Sequence, residues 1–141
     1  MDSDSLSHTR WKCEYHIVWI PKYRRKVLFG RVRADLREIL RTLCQYKHIE
    51  IVAGSVMPDH IHLVVAIPPK MAVSDVVGYL KGKSALQIFE KHPELSTRFD
   101  RTMWARGYYV TTIADVSEET IKRYVEEQYE ESRKEEDRGR R

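Results

Sequence analysis

The chain has 141 residues, of which 42% are hydrophobic and 33% charged, and its formal net charge is +4. These values fit one folded domain and exclude a disordered chain, and a pI near 9.1 is compatible with a nucleic-acid partner. No apolar run approaches the roughly 20 residues of a transmembrane helix, and the polar start MDSDSLSHTR predicts no signal peptide. The two cysteines, Cys13 and Cys44, have no metal-ligand spacing. The pair could form a disulfide, but the sequence favours a reduced cytoplasmic protein.

The hydrophobic pattern predicts one domain over 11–132, between a flexible tail over 1–10 and a mixed-charge tail over 133–141. In chain order it predicts a strand over 12–20, a helix over 31–46, strands over 48–57 and 60–67, a helix over 74–91, a strand over 106–114 and a last helix capped by Ser117. Gly54 marks a possible bulge. This order predicts an α+β fold, with a ferredoxin-like, RRM-like antiparallel sheet, helices on one face and an added C-terminal helix.

Two histidines stand two residues apart in the third predicted strand, within VMPDHIHLVVAIP. Side chains at this spacing share one face of a strand, so His60 and His62 lie roughly 7 Å apart along it. Ile61, Leu63 and Val65 then point to the core. Two neutral imidazoles can bind one divalent cation. The motif alone fits two histidines without a role on a half-exposed strand face better than it fits a metal site.

The last predicted helix, in TIKRYVEEQYEE, places Tyr124 and Gln128 four residues apart and hence on one helical face. The amide oxygen of Gln128 is a suitable third ligand beside His60 and His62, and such a set leaves positions open for substrate. Tyr124 would then be a nucleophile one helical turn from the cation. The alternatives are that Tyr124 is a core residue of an amphipathic helix, or that Tyr129 is the nucleophile.

Basic residues in two segments are candidates for DNA contact. Arginine binds phosphate through its planar fork, and an exposed aromatic ring can stack on an unpaired base. Both segments also fit solvated surface, and Gly82 between the two lysines of the second fits either close approach of DNA or packing. His16 and His48 are interpreted as structural. Sheet or dimer packing, rather than base stacking, is the interpretation for Trp19, Trp104, Tyr108 and Tyr109. The candidate DNA-binding residues are Lys22, Tyr23, Arg24, Arg25, Lys26, Lys81 and Lys83.

Four motifs resemble one known family. MPDHIHLVV resembles the His-hydrophobe-His motif of the HUH nucleases, and IKRYVEEQ resembles the tyrosine helix of their single-tyrosine transposases. YHIVWIPKYRRKVL (15–28) and GYLKGKSA (78–85) resemble that family's first strand and second helix. The motifs stand in the family's order from about Trp11 to Tyr129, so the chain is similar to the small transposases of the insertion sequence 200/605 family.

The resemblance implies a mechanism and partners. His60, His62 and Gln128 would bind Mg²⁺ or Mn²⁺, and Tyr124 would attack a DNA phosphodiester to leave a 5′-phosphotyrosine and a free 3′-OH. The substrate would be single-stranded DNA with hairpins at the element ends. The protein would be a homodimer in which the tyrosine helix of one subunit, joined through the short segment 114–117, completes the site of the other. One departure is Glu127, where relatives often carry Asn.

Three other functions fit parts of the sequence. A non-catalytic module that binds single-stranded nucleic acid would carry paired aromatics on its central strands, and HIHLVVAI has none. A metal-dependent hydrolase would use an activated water with a nearby carboxylate as base, for which Asp59 is the candidate. A domesticated relative that cuts chromosomal hairpin repeats would use the same residues as the transposase.

Overall fold

The computed structural model describes residues 10–96 and 101–113, together with 125–127, 130 and 134. The two predicted tails, residues 114–117 and most of the last predicted helix, including Tyr124, Gln128 and Tyr129, lie outside the described residues; its described positions are helical. The elements in chain order are β1 (Glu14–Trp19), α1 (Gly30–Tyr46), β2 (Glu50–Met57), β3 (His60–Ala66), α2 (Val73–Lys91) and β4 (Tyr109–Thr112), with short 3-10 turns at Lys22–Arg24 and Pro93–Leu95.

The four strands form one antiparallel sheet in the order β2-β3-β1-β4. Each of α1 and α2 connects strands that are not neighbours, as a split βαβ fold requires. The predicted α+β, ferredoxin-like architecture is thereby confirmed. Within the described part, no helix is both long and apolar enough to cross a membrane.

The sheet has two unlike faces. We call the face that carries Ile17, Trp19, Ile61, Leu63 and Val65 the closed face, because these side chains are at most 4% exposed. They belong to one core cluster with apolar residues of α1 and α2. The edge-to-face contact of Trp19 and Trp104, with ring centroids 5.9 Å apart, confirms that this pair packs. The helix-side members of the cluster include Leu36, Ile39, Leu40, Leu43, Val76, Val77, Leu80 and Ile88.

The opposite face, which we call the open face, carries the alternate residues of the same strands. On β1 and β3 these include His16, Val18, His60 and His62, all of intermediate exposure. On β4 the open face carries Thr111 and Tyr109, and Tyr109 is 63% exposed. Because strand side chains alternate between faces, one strand supplies both the core and the open surface.

The predicted bulge in β2 lies at a different residue. The pairing with β3 shifts register between Ile51 and Ala53, so Val52 is the extra residue. Gly54 is instead a point of close approach, because a Cβ there would lie 2.9 Å from Cδ2 of Leu63.

Three strands begin later than the sequence indicated, and β1 starts at Glu14 rather than at residue 12. Strand β2 starts at Glu50 because His48 turns the chain with a φ of 58°. Strand β4 starts at Tyr109 because Gly107 has a φ of 80°, in the left-handed region that glycine tolerates.

Candidate functional site

Strand β3 presents both candidate metal ligands on the open face. His62 lies between Val18 of β1 and Ser55 of β2, and His60 lies opposite Met57. The residue between the two histidines, Ile61, is fully buried in the core. The apolar–polar alternation of the sequence therefore places the two imidazoles side by side on an accessible surface.

A carboxylate holds the ring of His60. Oδ1 of Asp59 lies 2.8 Å from Nδ1 of His60, and Oδ2 accepts a hydrogen bond from Nε of Arg24 at 3.2 Å. The hydrogen bond to His60 is the main cause that lowers the pKa of Asp59; desolvation opposes it, and the charge of Arg24 lowers the pKa further. An ionised carboxylate only accepts, so Nδ1 carries the proton and Nε2 of the neutral ring keeps its lone pair. Metal-binding histidines commonly have this arrangement.

The basic loop after β1 packs beside the turn that precedes His60. The backbone N–H of Lys22 donates to the carbonyl of Met103 at 2.9 Å, and that of Leu28 donates to the carbonyl of Pro58 at 3.0 Å. Between these anchors Tyr23 and Arg24 have φ angles of 63° and 53°. Such backbone is costly for bulky residues and is commonly kept at functional sites.

The side chains of the basic loop differ in how far they reach into solvent. Tyr23 is 77% exposed, and Nζ of Lys22 lies 5.2 Å from the centre of its ring. Lys26 is exposed, whereas Arg25 is half-buried and its Nε finds no hydrogen-bond acceptor among the described residues. The loop therefore presents an aromatic ring and several cations next to the histidine pair.

His16, for which the sequence predicted a structural role only, lies against the candidate ligand His62. Its Nδ1 lies 2.9 Å from Nε2 of His62, and the two rings stack with centroids 5.1 Å apart. At this distance one nitrogen donates its proton to the other, so His62 is also held by a neighbour. The contact differs from that of His60, because it occupies Nε2 of His62 and leaves Nδ1 as the remaining ring nitrogen. The sequence signal was the alternation in YHIVW: with Ile17 and Trp19 in the core, His16 must share the open face of the adjacent strand.

The two candidate DNA-binding lysines of α2 differ, because Lys81 is held by backbone carbonyls and Lys83 is exposed. The amine of Lys81 donates to the carbonyls of Ala105 and Gly107 at 2.9 and 2.8 Å, and burial lowers its pKa. It thereby fastens the loop that leads into β4. Lys83 is exposed. A Cβ on Gly82 would meet no atom within 4 Å, so packing among the described residues does not explain this glycine.

The described residues supply only part of a binding site for a divalent cation. His60 and His62 share a face, and Nε2 of His60 is oriented by Asp59 as a ligand nitrogen. Among the described residues, no group of three or more His, Cys, Asp or Glu side chains is arranged to hold a metal ion. The predicted third ligand, Gln128, and the predicted nucleophile, Tyr124, lie outside those residues, so their approach to the histidines stays a prediction.

Comparison of the sequence with known proteins gives one consistent result. The family profile described as "Transposase IS200 like" matches residues 9–128. The transposase for insertion sequence element IS200 of Salmonella typhimurium is 45% identical over 133 residues, which are 94% of this chain and 87% of that protein. The ISDra2 transposase TnpA of Deinococcus radiodurans is 35% identical over 120 residues, which are 84% of this chain and 86% of that one.

Two solved structures are similar to this chain. The crystal structure of a candidate transposase from Deinococcus radiodurans R1 has a TM-score of 0.72 at 35% identity, over 86% of this chain and 94% of that one. The REP-associated tyrosine transposase, solved bound to a REP hairpin, has a TM-score of 0.56 at 16% identity, over 78% of this chain and 63% of that one. At that identity the second likeness concerns the fold alone.

Proposed function

Because the chain belongs to the family of IS200-like transposases, we propose that it cleaves and rejoins single-stranded DNA at hairpin-bearing element ends through a 5′-phosphotyrosine. The observation that carries this proposal is the histidine pair of β3, in which Asp59 directs the proton of His60 to Nδ1 and leaves Nε2 for a ligand bond. A surface that only binds nucleic acid has no need of an oriented imidazole pair.

The proposed nucleophile is Tyr124. Attack of its hydroxyl oxygen on phosphorus forms a tyrosine–phosphate ester and breaks the bond to the 3′ oxygen, which takes up a proton and leaves as a 3′-OH. His60 and His62, with Gln128, would hold Mg²⁺ or Mn²⁺. A bound cation polarises the phosphoryl oxygens and stabilises the charge of the transition state. Attack of a 3′-OH on the ester reverses the step, so rejoining needs no external energy source.

The structure offers less support for a hydrolase that uses Asp59 as base. Both carboxylate oxygens of Asp59 already accept hydrogen bonds, from His60 and from Arg24. The lowered pKa of this group also makes it a weaker base. A base that serves a water would need a free oxygen and a raised pKa.

The test of the nucleophile is a covalent adduct. A hairpin-bearing strand labelled on the 3′ side of the cut, incubated with Mn²⁺, should migrate attached to the wild-type protein on a denaturing gel. Tyr124→Phe should abolish both the adduct and cleavage, and Tyr129→Phe, the matched control on the same segment, should keep them. Hairpin DNA is the first substrate to test because a protein of the same fold was solved with a hairpin.

Three outcomes would contradict parts of this proposal. An adduct with Tyr124→Phe but none with Tyr129→Phe would assign the nucleophile to the other tyrosine. Cleavage without any adduct would favour a hydrolase. Full cleavage by wild-type protein in EDTA would exclude a required divalent cation.

We also propose that the protein works as a homodimer whose tyrosine helix serves the partner's histidines. Mixing a Tyr124→Phe subunit with a His60→Ala/His62→Ala subunit tests this arrangement, because each is expected to be inactive alone. If sites form between subunits, the mixed dimer regains one working site. No recovery, with mixed dimers shown to form, would mean that each site is built within one chain.

A further inference from the structure

We propose that Arg24, Asp59 and His60 act as one unit, in which Arg24 binds a backbone phosphate of the DNA strand and Asp59 holds the His60 ring for the cation. Asp59 is then a positioning residue, and the phosphate-binding and cation-binding parts of the site share its carboxylate. The inference rests on the proposed function, because it assigns roles in that same site.

The first support is that Asp59 joins His60 to Arg24. Its two oxygens contact different partners, His60 at 2.8 Å and Arg24 at 3.2 Å. The Asp59 side chain is only 20% exposed and that of His60 35%, so the contact is partly shielded from water. Because His60 follows Asp59 directly, the short contact fixes which nitrogen carries the proton and the direction in which the other nitrogen points.

The second support is that the guanidinium group of Arg24 is largely exposed. Its side chain is 73% exposed although Nε contacts Asp59. In the described part of the chain its two terminal amino groups contact no acceptor, so the fork that binds phosphate faces solvent. The exposed ring of Tyr23 precedes it, which places a stacking surface and a phosphate-binding group side by side.

The third support is that the loop is fixed relative to the histidine. Leu28, which is fully buried, donates its backbone N–H to Pro58, the residue before Asp59. The other end of the loop is bound to Met103 through Lys22. A phosphate held by Arg24 would therefore have a defined position relative to His60.

The experiment compares four variants of the full chain: Asp59→Ala, Asp59→Asn, Arg24→Ala and Arg41→Ala. Arg41 is the matched control, because it is an exposed arginine whose salt bridge, to Glu38 at 2.8 Å, lies on α1. Three quantities are measured: Mn²⁺ affinity without DNA, affinity for an oligothymidine strand without metal at several salt concentrations, and the ¹⁵N shifts of the His60 ring. Circular dichroism checks that each variant is folded.

We expect Asp59→Ala to weaken Mn²⁺ binding 10–100-fold, the usual cost of losing the hydrogen-bond partner of a ligand histidine, and to remove the Nδ1–H signature of His60. Asp59→Asn keeps an accepting oxygen and should lose less. Excess Mn²⁺ should restore cleavage to both Asp59 variants. Arg24→Ala should bind Mn²⁺ like the wild type, but bind DNA more weakly with a salt slope smaller by roughly one. Arg41→Ala should match the wild type throughout.

Wild-type Mn²⁺ affinity together with unchanged His60 shifts in both Asp59 variants would overturn the inference, and so would an unchanged salt slope in Arg24→Ala. If the Asp59 variants do not cleave even at the highest Mn²⁺ concentration, Asp59 has a role other than positioning His60, and the inference is overturned. If wild-type protein neither binds Mn²⁺ nor cleaves, the proposed function fails, while the ring shifts of metal-free protein still report on Asp59. If Asp59→Ala is unfolded, Asp59→Asn carries the decision.

Discussion

The closed and open faces of the sheet use the same strands for different purposes. On β3, Ile61, Leu63 and Val65 lie in the core, whereas the alternating residues His60 and His62 lie on the other face. A fully buried aliphatic side chain contributes about 1.5–3 kcal/mol through removal from water, and a half-exposed histidine contributes much less. Residues that stabilise the fold therefore alternate along β3 with residues of the proposed site. Substitutions at neighbouring positions should affect stability and cleavage separately.

The largest expected effect is on the open face. His62→Ala should abolish cleavage of hairpin-bearing single strands, because the cation would lose one of its ligands. The free energy of unfolding should fall by no more than about 1 kcal/mol, the usual net value of one hydrogen bond. Gel-based cleavage and urea denaturation of the same preparation check both statements. A folded variant that still cleaves would remove His62 from the site.

On the closed face, the neighbouring substitution Ile61→Ala should do the reverse. Ile61 is fully buried, so the substitution leaves a cavity and should lower the free energy of unfolding by about 2–5 kcal/mol. Cleavage at a temperature where the variant stays folded should persist. Urea denaturation beside His62→Ala makes the comparison direct, and equal losses of stability in the two variants would contradict the division between the faces.

The third prediction compares two thiols. Burial raises the pKa of Cys44, on the core side of α1, from 9.0 to about 11, while Cys13 has intermediate exposure. The raised pKa means that Cys44 stays a thiol as the pH rises through 9, and the thiolate is the reactive form. At pH 8, iodoacetamide should therefore modify Cys44 at least about 100-fold more slowly than a thiol of ordinary pKa.

Peptide mass mapping over time measures this difference, with Cys13 as the internal reference. Adding denaturant should make the two rates equal, because burial is the cause of the raised pKa. Equal rates in the folded protein would show that the core around Cys44 opens readily.

The smallest expected effect concerns two glycines. Gly54→Ala would bring a methyl group to 2.9 Å from Leu63, whose side chain is buried, and should cost about 1–3 kcal/mol as overpacking does. Gly82→Ala is the matched control: the added methyl meets nothing within 4 Å, and alanine favours a helix by up to about 1 kcal/mol. Thermal unfolding of both should move in opposite directions, and a shift of equal sign would contradict the proposed cause.

Much of the fold could be predicted because its elements carry local signals. The helical spacing of Leu36, Leu40 and Leu43 fits α1, and the alternation around His60 and His62 places β3 and its faces. The prediction that β4 begins at residue 106 was wrong, because the positive φ of Gly107 depends on a loop held by Lys81, a partner distant in sequence. The bulge was displaced by two residues because pairing register with β3 is not a local property.

The candidate site could be predicted only as far as its motif. His60 and His62 are two residues apart in one strand, so strand geometry alone brings them together on one face. The contacts of His16 with His62 and of Arg24 with Asp59 join residues 46 and 35 positions apart, and they exist only because β1 lies beside β3. The expected contributions of Tyr124 and Gln128 fall outside the described residues and stay predictions.

The extra residue Val52 has a consequence for how copies of the chain meet in concentrated solution. Strand β2 lies at one edge of the described sheet, where backbone N–H and C=O groups can pair with a strand of another molecule. A bulge interrupts the regular spacing of those groups and twists the edge locally. The same irregularity that leaves Val52 half exposed thus makes this edge a poor template for the stacking of strands into aggregates.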